Sequence, residues 1–410
     1  MDRRHFIKTS GFAAAAGGAG LLLPLSARAA DNDIAVGSIH DLSGGLDIYG
    51  KPMLDALTLA IEEQNAAGGL LGKKVRLVSY DPQSNMQLYT QFAQQAALKD
   101  KVAVVMGGIT SASREVIRPV LGRAKTLYFY NTQYEGGVCD RGIFCTGVTP
   151  AQTVGKLVPY AMKKWGKKIY VVAADYNYGQ ITSQWVKKFA QDSGGSTVAI
   201  EFFPLDVTNF GPTISKIEAA KPDMLFSALV GGAHISFYRQ WAAAGMNKKI
   251  PLASSTFGVG NEHIVLSAEE ANGYLLAYNY FETIATPGNA AFLTRFHKRF
   301  GADYPNVTEL ACGTYQGFKM WAEGVKKAGS IDLVKVTTAL ESGISIDGPS
   351  GKISIDPATH HCVLNVSLAE VQAKKFKILE TFNQAAPSDT SAVCDLKKNP
   401  KDNQQYVIKV

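Results

Sequence analysis

The residues with chemistry to offer fall in four short segments. Gly107-Gly108-Ile109-Thr110-Ser111-Ala112-Ser113-Arg114 leads from a buried apolar stretch into a helical one. Ser111 is placed to cap that helix, whose first N–H groups have no acceptor within it. Such an end can hold a carboxylate, a phosphate or an amide oxygen, and it can equally be a plain serine cap. Tyr128-Phe129-Tyr130-Asn131-Thr132-Gln133-Tyr134-Glu135-Gly136 leaves a second apolar stretch. Its tyrosines, amides and carboxylate supply the donors and acceptors of a pocket wall. Asp175-Tyr176-Asn177-Tyr178-Gly179, and Leu42-Ser43-Gly44 with Tyr49-Gly50, leave two further stretches in the same way.

Other chemistries find less support. His360-His361 precede Cys362, but a metal or nucleophile site needs one more positioned partner, and the pair reads as exposed turn residues. His40-Asp41 reads as a pair on a cleft rim. No G-x-S-x-G, H-E-x-x-H or P-loop occurs, so an enzyme is not expected, nor a cofactor or metal. Lys and Arg number 42 against 35 Asp and Glu, a net charge of +7 without a basic cluster, so nucleic acid is not an expected partner.

The elements that must position these segments alternate. Strands are predicted at Ile34–Ile39, Val75–Tyr80, Val102–Met106 and Leu127–Tyr130, with helices between them, including Met86–Lys99 and Ser111–Arg123. The theme restarts after Pro150 with strands at Ile169–Ala173, Thr197–Phe203, Met224–Leu229, Ile250–Ser254 and Tyr274–Tyr278. Helices follow at Asn289–Phe300, Glu309–Ala328 and Leu333–Glu341, and Gly348–Phe382 alternates like antiparallel β structure. The reading is α/β, two doubly wound lobes of mostly parallel sheet. Ligands of such sheets sit at the carboxyl ends of the strands, here a cleft shared by two lobes.

The chain opens with Arg3-Arg4, an apolar run Phe12–Leu25 and Ala27-Arg28-Ala29, the parts of an export signal cleaved after Ala29. The arginine pair with Phe6 and Lys8 resembles a twin-arginine signal, and an ordinary secretory signal is the alternative. A soluble chain in an oxidising compartment is expected, so disulfides can form. Cys139 and Cys145, with only Asp140–Phe144 between them, are expected to pair. Cys362–Cys394 is the second candidate, which leaves Cys312 as a free thiol.

The order of the four segments resembles the type I periplasmic binding proteins of ABC transporters, in the Leu/Ile/Val-binding-like branch. L-S-G-x-x-x-x-Y-G (Leu42–Gly50) and D-Y-x-Y-G (Asp175–Gly179) carry the likeness, which covers essentially the whole chain after the leader. G-G-x-T-S-A-S-R (Gly107–Arg114) with Y-x-x-x-Y-E-G (Tyr130–Gly136) is similar to the urea- and short-chain-amide-binding group. The resemblance implies two Rossmann-like lobes joined by three strands, closing on a ligand by hinge bending. It implies a leader at 1–29, an N-terminal lobe at 30–150 plus 282–345, a C-terminal lobe at 151–281 plus 346–385, and a tail at 386–410. Crossings are expected near Val148–Gln152, Tyr278–Glu282 and Ser345–Gly348.

Carried over residue by residue, the resemblance makes Ser111, with Ala112 beside it, hold the ligand's oxygen. Thr132, Tyr130, Gln133, Tyr134 and Glu135 form one wall, and Tyr49, Tyr176 and Tyr178 close over the ligand. Thr256 falls near where amino-acid binders place a carboxylate, and Pro251–Gly258 holds no acid. That disfavours a ligand ammonium and favours urea or a short amide, while Gly179 follows the amino-acid-binder pattern and keeps an amino acid as the alternative ligand. The implied partners are a small-molecule ligand and an inner-membrane ABC permease, met in the periplasm by a monomer. A periplasmic sensor or an amide-processing enzyme is the remaining alternative.

Overall fold

The computed structural model describes residues 33–409. The expected export signal lies outside the described residues. The first sheet half runs β2 (Val75–Tyr80), β1 (Ile34–Ile39), β3 (Val104–Gly107), β4 (Leu127–Tyr130) and β6 (Ile143–Cys145), all parallel. The second half runs β8 (Ser196–Phe203), β7 (Lys168–Ala174), β9 (Met224–Ala228), β10 (Leu252–Ser254) and β11 (Leu275–Tyr278), again parallel. β3, β4, β9 and β11 are buried along their whole length, which their unbroken apolar runs require with helices on both faces. The mixed α/β fold with parallel strands is the one read from the sequence.

In each half the chain starts in the middle of the sheet and then builds outward both ways. β1 lies between β2 and β3, and β7 between β8 and β9. Those are topological switch points, where the loops at the carboxyl ends part and leave a crevice. Two glycines fit the following helices against these points. A Cβ on Gly50 would overlap the Asp41 carbonyl oxygen, and one on Gly179 would overlap that of Ala174. Each glycine follows a tyrosine, Tyr49 or Tyr178, which the close approach brings to the strand ends.

The third connection between the halves differs from the expected one. β12 (Ser345–Gly348) and β13 (Gly351–Asp356) form a hairpin in the first sheet, so residues from 346 on do not pass at once into the second lobe. The crossing is made by β14 (His361–Gln372), which pairs with β6 at His361↔Cys145 and then antiparallel to β11 from Ser367 to Glu370. β15 (Lys375–Ala385) returns along it in the second half. The chain also passes between the halves at 146–153 and 279–286.

The tail packs on the first lobe. β16 (Asn403–Gln405) pairs antiparallel with the short β5 (Val138–Asp140), opposing Gln404 to Cys139. A disulfide joins Cys139 to Cys394, not to Cys145, with Cα atoms 5.4 Å apart. Cys145 points into the apolar cluster of Tyr130, Tyr134 and Ile143, whereas Cys139 packs with Cys394 and Leu396. The two cysteines of the predicted bridge therefore face different clusters, and Cys145, Cys312 and Cys362 are buried free thiols, so the second candidate, Cys362–Cys394, does not form either. The helix Val154–Trp165 was not anticipated, and the predicted helix Met86–Lys99 ends in a π turn at Gln95–Lys99. Among the described residues no helix is long and apolar enough to cross a membrane.

Candidate functional site

The crevice between the halves is lined from both sides. Tyr49, Ser111, Tyr130, Thr132 and Gln133 come from the first half, and Tyr176, Tyr178 and Thr256 from the second. Ile109, Leu310, Val230 and Val259 complete the lining, and no charged side chain takes part. The space open to the centre of a water-sized sphere is about 30 Å³. Such a volume takes a few water-sized groups. The four apolar liners carried no sequence signal, since an apolar residue in a cleft reads like one in a core.

Three of the expected residues, Ala112, Tyr134 and Glu135, do not line the space. Ser111 does, but Thr110 is the cap: its hydroxyl accepts from the Ser113 N–H at 3.0 Å, and Ser111 is the first helical residue. The Ser111 hydroxyl donates instead to Glu135. The other Glu135 oxygen accepts from Arg114 Nη2 at 2.9 Å and from Gln405 Nε2. Both members of the Arg114–Glu135 ion pair have fully buried side chains. The guanidinium also lies 5.0 Å from the centre of the Tyr130 ring and 4.5 Å from that of Tyr134. Tyr134 hydrogen-bonds to His361 and accepts the Val138 N–H, so it supports the wall from behind.

The halves touch directly across the crevice. Tyr49 Oη accepts the Gly231 N–H at 3.0 Å, Gln133 Nε2 donates to the Ser255 carbonyl at 2.7 Å, and Trp185 Nε1 donates to the Glu135 carbonyl at 3.0 Å. Within the second half, Tyr178 meets the Ser255 hydroxyl at 3.0 Å. Burial pushes the hydroxyls of Tyr49, Tyr130, Tyr176 and Tyr178 above the usual tyrosine range, so they remain protonated and neutral.

Two acids lie just behind the lining. Glu262 accepts from the N–H groups of Gly258 at 2.6 Å and Gly260 at 3.1 Å, and burial raises it to about 7. Glu309, next to Leu310, has no hydrogen-bond partner on either oxygen, and burial raises it to about 8. Burial thus favours the neutral form of both acids, and neither side chain lines the space.

The histidine pairs are interior groups. His360 and His361 are buried rather than exposed, the first stacked on Phe144 with ring centres 4.1 Å apart. His40 and Asp41 are also buried, with Asp41 accepting from Tyr89 and the Ser84 N–H instead of standing on a rim. Among the described residues no group of three or more His, Cys, Asp or Glu is arranged to hold a metal ion.

With this geometry in hand, residues 34–392 match the sequence pattern of the periplasmic binding protein domain family. A Leu/Ile/Val-binding protein homolog 7 from Brucella abortus (strain 2308) is 24% identical over 361 residues, covering 81% of this chain and 86% of that protein. The solute binding protein of an ABC transporter from R. palustris, solved in complex with 4-hydroxybenzoate, superposes with a TM-score of 0.78. It is 26% identical, covering 87% of this chain and 98% of that one. A leucine binding protein from Thermotoga maritima MSB8 superposes with a TM-score of 0.76 at 19% identity, over 87% and 99% of the two chains, a likeness of fold.

Proposed function

The chain belongs to the periplasmic binding protein family, and on that premise we propose that it carries urea or a short-chain amide to an ABC permease. It is a solute-binding protein of the kind ABC transporters use. The observation that carries the choice of ligand is the lining: small, polar and without a charged side chain. A carboxylate or ammonium buried there would lose several kcal/mol of solvation with no counter-charge to offset it. A neutral amide needs only hydrogen bonds, and seven hydroxyls and the Gln133 amide are at hand. The fold and the family speak for binding rather than catalysis.

The binding step follows from the two halves. Tyr49, Ser111 and Thr132 on one side and Tyr176 and Thr256 on the other reach the same ligand only when the lobes are together. A ligand that touches both sides stabilises the closed form by its differential affinity, and the permease reads that shape. On this reading the exchange takes place in the periplasm, with the protein as a monomer.

A second reading has its own support. Tyr49, Tyr130, Tyr176 and Tyr178 suit an aromatic ring, and the R. palustris relative was solved with 4-hydroxybenzoate. A ring would have to widen the space considerably, and its carboxylate would meet no cation. Titration calorimetry with urea, acetamide, leucine and 4-hydroxybenzoate separates the readings. The ceiling of about −1.5 kcal/mol per non-hydrogen atom puts urea near −6 kcal/mol, a Kd of roughly 10–100 µM. Leucine or 4-hydroxybenzoate binding more tightly than both urea and acetamide overturns the ligand assignment.

A further inference from the structure

A hydroxyl has one hydrogen, and in this cleft several of those hydrogens are already committed. Ser111 gives its hydrogen to Glu135. Tyr130 gives its to the Ile109 carbonyl at 3.0 Å, and Thr132 to that of Gly108 at 3.3 Å. Three cleft oxygens, those of Ser111, Tyr130 and Thr132, are thus left with lone pairs only. Tyr49 is the opposite case: it accepts the Gly231 N–H, and its own hydrogen is free.

We propose that Glu135 is a specificity-setting positioning residue: by taking the Ser111 hydrogen it completes an array of acceptors that selects ligand N–H groups and rejects carboxylates. The proposal rests on the amide reading above and says how amide is told from acid. Acetamide and acetate have nearly the same shape and differ in whether they carry N–H groups. Acetamide can give two hydrogens to the array and take one from Tyr49 at its carbonyl. Acetate can take the Tyr49 hydrogen but has none to give, and its second oxygen would face the lone pairs of the array.

Glu135 is the adjustable member of the array. Tyr130 and Thr132 donate to backbone carbonyls, which no side-chain substitution alters, whereas the sense of Ser111 depends on a side chain 24 residues along. That side chain is held by Arg114 and by Gln405, which β16 brings in through its pairing with β5. In Glu135→Gln the amide oxygen stays on Arg114 and the amide nitrogen faces Ser111. The nitrogen must donate, so the serine hydrogen turns into the cleft and one acceptor becomes a donor.

The test is calorimetry of acetamide, N-methylacetamide and acetate against the full-length mature protein, Glu135→Gln and Ser111→Ala, with circular dichroism to establish folding. The parent is expected to bind acetamide at least 30-fold more tightly than acetate, with N-methylacetamide between them. Glu135→Gln is expected to weaken acetamide at least tenfold and to shift the acetamide-to-acetate ratio at least tenfold toward acetate. A merely structural role would weaken both ligands and leave that ratio alone. Should Glu135→Gln not fold, the parent's ratio and its fall in Ser111→Ala decide. Acetate bound as well as acetamide by the parent, or a ratio unmoved in folded Glu135→Gln, overturns the inference and leaves the amide reading standing. A parent that binds neither urea nor acetamide overturns both.

Discussion

Two acidic regions border the cleft, and the protein handles them oppositely. Glu135 is buried and fully engaged, with an arginine, a serine and a glutamine on its two oxygens. Glu262 and Glu309 are equally buried, yet Glu309 has no partner at all and Glu262 has only two backbone N–H groups. Burial alone pushes a carboxyl toward its neutral form, and only a counter-charge resists that. The contrast teaches where a charge is useful here. A cationic partner is supplied where the carboxyl fixes the direction of a hydroxyl that faces the ligand, and none is supplied where the side chain only fills space behind Val259 and Leu310.

The largest effect should come from breaking the engaged region at its counter-charge. Arg114→Met leaves Glu135 buried without its cation, at a cost of about 3–5 kcal/mol. In a lobe of this size thermal unfolding should fall by about 2–4 °C per kcal/mol. Arg114→Met with Glu135→Leu should recover most of the loss, because no charge is then stranded. If the single variant melts with the parent, the pair is not what sustains this region.

The next effect comes through the tail. The Cys139–Cys394 bridge closes a separation of 255 residues and holds the segment that delivers Gln405 to Glu135. Replacing both cysteines by serine should cost about 2–5 kcal/mol of stability. The comparison adds a sharper expectation: acetamide binding should weaken with it, because Gln405 is freed, while Glu309 behind the other wall is unaffected. Calorimetry under reducing and oxidising conditions checks this, and equal affinities would separate the tail from the site.

How much of this could be read beforehand differs between the same two regions. Buried apolar strands that end in polar and aromatic runs, such as Leu127–Tyr130 followed by Asn131–Glu135, are local patterns, and so are tyrosine–glycine pairs at helix starts. They brought Tyr49, Ser111, Tyr130, Thr132, Gln133, Tyr176, Tyr178 and Thr256 to one crevice. The engaged region escaped because its partners are remote: Gln405 lies 270 residues from Glu135. The disulfide failed for the same reason, since sequence proximity favoured Cys145 while the strand pairing of the tail decided for Cys394. The shift of the cap from Ser111 to Thr110 is a one-residue matter between two good capping residues, which only backbone geometry resolves. The β12–β13 hairpin was expected in the second half because alternating strands look alike whichever sheet they join.

The smallest expected effect tests the unengaged region. With a folded-state value of about 8 against an ordinary 4.5, Glu309 holds its proton more tightly in the folded chain than in the unfolded one. The unfolded chain loses that proton as pH rises through about 4.5, while the folded chain keeps it until about 8. Stability from this group is therefore largest at low pH, declines across that window and levels off above it. Glu262, raised to about 7, pulls in the same direction over a narrower window. His40 and His234, lowered to about 3, and His263 and His361, lowered to about 4, pull the other way, adding stability as pH climbs toward 6.5. The parent's own profile mixes these slopes, so the informative quantity is its difference from Glu309→Gln. At pH 5 the two should agree to about 1 kcal/mol, since a neutral amide replaces a neutral acid. By pH 9 the variant should be the more stable of the two, because the parent alone must hold a bare carboxylate beside Tyr178 and Tyr278. Urea unfolding is unsuitable for a protein read as a urea binder, so guanidinium titrations at the two pH values should be compared. A difference that stays flat with pH would mean that Glu309 is ionised and solvated in the folded chain, and the contrast with Glu135 would disappear.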